Sequence, residues 1–174
     1  SLAYGGDVRY LEMPASAGQP TPTRSKNVPF FLKGWEYSDD YKKLTLHLRK
    51  GVKYSDGTPF TAEEYLYWWE HNANNPDLSP VAPENWTFPL LDVTSEDKYS
   101  VTLHYGKPNP RVHLNDFQNN MGVAWGELPP ADYMKQFHPD FVGKEKVMTM
   151  AEKVDLDTWF DFYSRIRDDS VVHP

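Results

Sequence analysis

The run from Leu44 to Trp69, LTLHLRKGVKYSDGTPFTAEEYLYWW, constrains the fold more than any other stretch of the chain. Leu44, Leu46 and Leu48 alternate with Thr45, His47 and Arg49, the period of a strand with one buried face. Arg49, Lys50 and Lys53 around Gly51 end that strand in a basic bend, and Val52 and Tyr54 carry the alternation on weakly. Asp56-Gly57 supplies a turn, because Gly tolerates positive φ and Asp bonds its own backbone. Thr61 then opens a helix with a capping box to Glu64, and Phe60 and Tyr65 occupy the two positions of a hydrophobic staple. Ala62, Tyr65, Leu66, Trp69 and Ala73 keep the spacing of one buried helical face, and Asn74, Asn75 and Pro76 stop the helix.

Elsewhere the signals are sparser. Val8 to Leu11 reads as a short strand, Pro14 to Pro29 as loop, and Val28 to Leu32 as an edge strand. Residues 76–89, with Pro76, Pro80, Pro83, Trp86, Phe88 and Pro89, read as a rigid non-helical loop. Leu90 to Ser95 is extended and Glu96-Asp97-Lys98 turns. Tyr99, Val101, Leu103 and Tyr105 then alternate with Ser100, Thr102 and His104. Val112 to Phe117 reads as a short helix and Met121 to Trp125 as a buried strand. Pro129-Pro130-Ala131 opens a helix through Phe137, Lys144 to Lys153 forms another, and a last one begins at Asp157 as its cap, with Trp159, Phe162, Tyr163 and Ile166 in helical spacing. Strands and helices mix without regular βαβ alternation, so the expected class is α+β, a largely antiparallel or mixed sheet with packed helices.

With 174 residues and 39% hydrophobic content, the chain is large enough for one domain with a real core. The absence of Cys excludes disulfides, thiol catalysis and thiolate metal sites. A net charge of -7 without a basic stripe argues against a nucleic-acid partner. No apolar stretch approaches the ~20 residues of a membrane-spanning helix. The chain opens on Ser1 without a signal-peptide pattern, as expected of a mature protein or of a segment of a longer one.

Catalytic chemistry finds no foothold. Asp39-Asp40, Glu63-Glu64 and Asp168-Asp169 are sequence neighbours whose side chains diverge, and they read as turn, helix cap and helix exit. Phosphate loops, nucleophile elbows and H-E-x-x-H pairs are missing from the sequence. His47 and His104 stand on the polar faces of the two best strands and would approach one another, as metal ligands do, only if those strands paired in that register. Asn85-Trp86-Thr87 matches a glycosylation acceptor, of meaning only in a eukaryotic secreted protein. Aromatics make up 15% of residues, and Trp86 and Trp125 lie in Pro- or Gly-flanked loops where a ring can line a pocket or pack inward.

The segment Gly34 to Trp69 resembles the family 5 extracellular solute-binding proteins, typified by dipeptide and oligopeptide receptors. The residues that carry the resemblance are Trp35, Glu36, Ser38-Asp39-Asp40, Leu48-Arg49-Lys50-Gly51-Val52-Lys53, Tyr54 and Asp56-Gly57-Thr58-Pro59-Phe60-Thr61-Ala62-Glu63-Glu64. Asp97 to Leu103 is similar to the family's acidic turn and second strand, and Leu128 to Tyr133 to its Pro-led helix. The resemblance covers roughly residues 28–165.

What the resemblance implies is a receptor rather than an enzyme, without catalytic residues, cofactor or metal. Members are several times longer and close two lobes over a solute. Residues 1–174 are therefore expected to form a single α+β subdomain, inserted in the first lobe of a type II periplasmic-binding-protein-like receptor. The implied partners are a small solute such as an oligopeptide, an ABC permease in the membrane, and the rest of the receptor's own chain. The implied location is extracytoplasmic, in the periplasm or at the cell surface, the latter through a lipid anchor on the full-length protein. Within this chain the loop Leu78 to Trp86 is expected to approach ligand, through Pro80, Val81 and Trp86 with Trp125 behind them. Peptide receptors often place an aromatic where this chain has Val81, so sugars, nickel complexes and other solutes stay open. The aromatics alone would support a different reading, a free-standing carbohydrate-binding module. A small hydrolase has only ordinary acidic residues behind it.

Overall fold

The computed structural model describes residues 8–12, 25–29, 32–87, 89–110 and 128–172. The alternating leucines fall on strand β4 (Lys43–Leu48), with Leu44, Leu46 and Leu48 buried and Thr45 and His47 half-buried on the other face. β4 pairs antiparallel with β3 (Leu32–Tyr37) on one side and β6 (Ser100–Tyr105) on the other, and β5 (Leu90–Asp97) completes a sheet in the order β3-β4-β6-β5. One face carries the leucines with Val93, Val101, Leu103 and Tyr105. The opposite face is polar, and Thr45 and Thr102, directly paired, share a hydrogen bond of 3.0 Å between hydroxyls.

Among the described residues, two strands lie outside this sheet. β1 (Val8–Glu12) pairs antiparallel with β2 (Ser25–Pro29). The latter occupies the end of a stretch expected to be loop. Its local composition is poor in strand formers, but β1 supplies the ladder, and Pro29 sits at the strand end where its missing N–H costs nothing. The expected edge strand from Val28 to Leu32 is thus divided between the ends of β2 and β3.

After β4 the chain makes a tight reversal. The amide of Phe60 donates to Val52 O at 3.0 Å and that of Tyr54 to Thr58 O at 2.9 Å. At its tip, Asp56 accepts from the amide of Thr58 at 2.8 Å and Gly57 takes φ of 89°. Helix α1 (Ala62–Tyr67) follows with the expected capping box: the Thr61 amide donates to Glu64 Oε2 at 2.8 Å, and the Thr61 hydroxyl caps the first turn. Phe60 and Tyr65 meet edge-on at 5.9 Å between centroids, as a staple does.

The helix then widens into a π-helical turn, Trp68–Ala73. Its burial is not the single stripe that the spacing predicts. Ala62 and Tyr65 pack on the sheet, while Tyr67 faces the other way into a second core with Ala131, Met134, Val147, Ala151, Trp159, Phe162 and Tyr163. α1 is therefore an internal layer between the sheet and a helical cap.

That cap consists of α2 (Ala131–Met134), which continues as a 3-10 turn through Phe137, then α3 (Pro139–Val142), α4 (Lys144–Glu152) and α5 (Trp159–Val172). The last helix is capped by Thr158 and not by Asp157: the Thr158 Oγ1 accepts from the amide of Asp161 at 3.1 Å. The readings for Val112 to Phe117 and Met121 to Trp125 lie outside the described residues.

Candidate ligand-approaching loop

The chain leaves the π-helical turn through Asn74 and Asn75. Asn74 Nδ2 donates to Trp69 O at 2.8 Å, and Asn75 accepts from the amide of Asp77 through its side chain and from that of Ser79 through its carbonyl. Asp77 then takes a hydrogen bond from the indole N–H of Trp159 at 3.0 Å, tying the loop to α5. Leu78 packs on the helical core and Trp86 on the sheet core, so the loop spans the two.

Its tip is preorganised by one carbonyl. Val81 O accepts from the hydroxyl of Ser79 at 3.1 Å and from the indole N–H of Trp86 at 3.0 Å. A 3-10 turn at Pro83–Asn85 closes the space between them. With its backbone held from both sides, Val81 presents an outward side chain that is 55% exposed, and Pro80 beside it is exposed as well.

The structure thus brings Pro80, Val81 and Trp86 together, while Trp125 lies outside the described residues. It alters the part Trp86 plays. The ring is half-buried, 6.4 Å from Trp68 between centroids, and Trp68 in turn stands 6.3 Å from Trp69. Its only N–H is already engaged by Val81, so it supports the loop and offers a ring face, not a hydrogen bond. Ser79 is a positioning residue that the sequence reading missed. A short polar side chain two positions before the carbonyl it holds was the available signal.

The histidine pair does not form. The β4–β6 register sets His104 opposite Lys43 and His47 opposite Ser100. The two are four positions apart along the strands, about 13 Å. His104 bonds Thr94 at 2.8 Å, and His47 lies 3.3 Å from Glu36. The basic bend opens onto a shallow groove of about 690 Å³ between Lys33–Glu36, the residues His47, Leu48 and Lys50, and Asp97–Ser100. Its charges are mixed, and Lys50 lies 5.5 Å from the Tyr99 ring centroid. Among the described residues no helix is long and apolar enough to cross a membrane.

Residues 26–160 match the family described as bacterial extracellular solute-binding proteins, family 5 middle, and the chain belongs to that family. The family is one of substrate-binding receptors rather than enzymes. Among curated relatives, the chain is similar to the periplasmic alpha-galactoside-binding protein of Rhizobium meliloti, 32% identical over an alignment of 121 residues that covers 67% of this chain and 16% of that protein. It is also similar to the periplasmic oligopeptide-binding protein OppA of Salmonella typhimurium, 43% identical over 54 residues, 31% of this chain and 10% of that one.

A solved oligopeptide-binding protein OppA superposes with a TM-score of 0.70 at 31% identity, over 82% of this chain and 22% of its own. The binding protein MelB of Agrobacterium fabrum, solved in complex with stachyose, gives 0.53 at 28% identity over 66% and 17%. The fold is α+β with an antiparallel main sheet, and its solved neighbours are type II periplasmic binding proteins. The chain spans about a fifth or less of the length of these relatives.

Proposed function

We propose that this chain is the accessory subdomain of the first lobe of a two-lobed receptor, which captures a small solute outside the cytoplasm and hands it to an ABC permease. The observation that carries this reading is the asymmetry of the OppA superposition: 82% of this chain is accounted for by 22% of a much longer receptor. The subdomain is mainly structural, and the rest of the receptor supplies most of the ligand contacts. Anchoring of the full-length protein by a lipid belongs to the same reading.

Within the subdomain, the loop tip at Pro80 and Val81, backed by Trp86, approaches the solute, and Trp125 is a further candidate contact. Support comes from the double hydrogen bond on Val81 O, which presents an apolar side chain at little ordering cost on binding. An oligopeptide is the first reading of the solute. An alpha-galactoside-type oligosaccharide is the second, favoured by the relative that matches the larger share of this chain. The free-standing carbohydrate module fits less well, because the Trp86 indole N–H is engaged inside the loop.

The test is calorimetric titration of the full-length natural protein with a panel of oligopeptides and of alpha-galactosides. Wild type is compared with Val81→Asp, an exposed position whose substitution leaves the core intact, and with Pro80→Ala. Saturable binding of one class, weakened by Val81→Asp, is the expected result. Unchanged affinity in both variants removes the loop from the binding site, and binding of neither class removes the solute assignment.

A further inference from the structure

The fold separates His47 from His104 but joins two other histidines. His71 lies in the π-helical turn and His138 immediately before α3. Their ring centroids stand 5.2 Å apart, and Asp140 reaches between them. Its Oδ2 is 3.0 Å from Nδ1 of His71 and 3.5 Å from Nδ1 of His138. One ligand atom from each of the three residues lies within 4.8 Å of the others. Donor atoms around a tetrahedral zinc ion, each ~2.0–2.1 Å from the metal, are ~3.3 Å apart. The side chains are thus near ligand spacing before any ion arrives.

Two observations distinguish this cluster from a surface ion pair. His138 is wholly buried, and its Nδ1 accepts a long hydrogen bond of 3.3 Å from the amide of Asp140. That bond engages the Nδ1 lone pair and leaves the proton on Nε2, which has no hydrogen-bond partner, so an ion at Nδ1 takes the place of the Asp140 amide. The His138 ring packs edge-on against Trp159 and Tyr163, at 5.3 and 5.4 Å between centroids. At 3.3 Å the Asp140 amide is a weak partner for a buried imidazole, and a cation at Nδ1 replaces it with a stronger one.

The second observation is access. The Asp140 side chain is 59% exposed and that of His71 16%, so an ion can enter from solvent and retain water as a fourth ligand. Phe141 walls one side, its ring 4.7 Å from His71.

We propose that His71, His138 and Asp140 form a three-ligand site for a divalent first-row transition-metal ion of zinc type, which clips the π-helical turn to α3. Two imidazoles and one carboxylate favour zinc, cobalt or nickel over calcium and magnesium, which take oxygen donors. The missing carboxylate or carbonyl on His138 Nε2 sets the affinity below that of sites whose histidines are oriented in that way. The role is structural, since the ion joins elements on either side of the inter-helical contact around Tyr67.

The experiment is titration of Zn2+ into the full-length natural protein, free of tag histidines, by calorimetry, with Co2+ visible absorption as a second readout. Wild type is compared with His71→Ala and Asp140→Asn, both at solvent-accessible positions, with near-ultraviolet circular dichroism confirming their packing. One zinc equivalent that each variant binds more than about ten-fold more weakly, with a Co2+ band of four-coordinate type lost in both, is the expected result. Zinc bound with equal stoichiometry and affinity by all three proteins overturns the proposal, as does a wild-type protein that takes up no zinc.

Discussion

At Thr61 and Glu64 a local signal became a local structure without modification. The capping box needs only residues three apart, and both of its arms are present. The setting adds something the spacing does not contain: Glu64 is 5% exposed. Burial raises its pKa above the ordinary carboxylate value, in opposition to the hydrogen bonds from Thr61 that lower it. A carboxyl with a raised folded pKa contributes stability that is full below its unfolded pKa, ~4.3, and lost as pH rises through the folded value. At neutral pH the charge on Glu64 is therefore a cost set against a useful acceptor. Thr61→Ala is expected to destabilise by about 1 kcal/mol, measured as a lower urea midpoint. Glu64→Gln keeps the acceptor and removes the charge, so at pH 7 it is expected to destabilise less than Thr61→Ala does. A larger loss for Glu64→Gln would contradict the burial argument.

Helix α1 shows what an element gains from its neighbours. Its sheet-facing residues were legible from spacing; Tyr67, on the other side, was not, because periodicity assigns one stripe while a sandwiched helix buries two. Tyr67 is joined to α5 through a buried chain, in which its hydroxyl lies 3.0 Å from that of Tyr163 and Tyr163 donates to Asn72 Oδ1 at 2.8 Å. Desolvation pushes both phenols up, Tyr163 to about 12 and Tyr67 further. Phenols raised in the folded state contribute stability that is full below the unfolded value, ~10, and falls as pH climbs towards about 12. Urea unfolding is expected to show a decline in stability over that window, with a shallower slope in Tyr163→Phe. The same variant strands the Asn72 acceptor, at a cost of about 1–3 kcal/mol near neutral pH. In β4, Leu46→Ala at the centre of the sheet core is expected to cost about 2–5 kcal/mol.

For the whole molecule, the decisive quantity is coverage. The described residues form two cores on either side of one helix, yet the chain spans only 22% of a receptor on which 82% of it superposes. The native protein that carries it is expected to have a mass several times 20.2 kDa. Intact mass measurement or immunoblotting in the source cells decides this. A native species near 20.2 kDa would instead favour an independent small binding module. Of the candidate loop, the sequence revealed its prolines and aromatics, but not the 3-10 turn at Pro83–Asn85 in a stretch expected to be non-helical. It did not reveal that the Trp86 N–H folds back onto Val81, because that bond depends on a loop path and not on a repeat.

What the sequence determined by itself is whatever a few neighbouring residues can specify: the β4 alternation, the Asp56-Gly57 reversal, the Thr61 cap, and the ordered motif from Gly34 to Trp69 that marks the family. Only the tertiary structure decided which strands meet and in what register, so that His47 and His104 stay apart. It alone made Ser25–Pro29 a strand, gave α1 its second buried face, and set His71, His138 and Asp140 in one cluster. The reason is physical. Local signals act over one turn or one pleat, whereas register and inter-layer contacts are chosen when distant segments bury their apolar faces together, and a slip of one residue would turn every strand side chain to the wrong face.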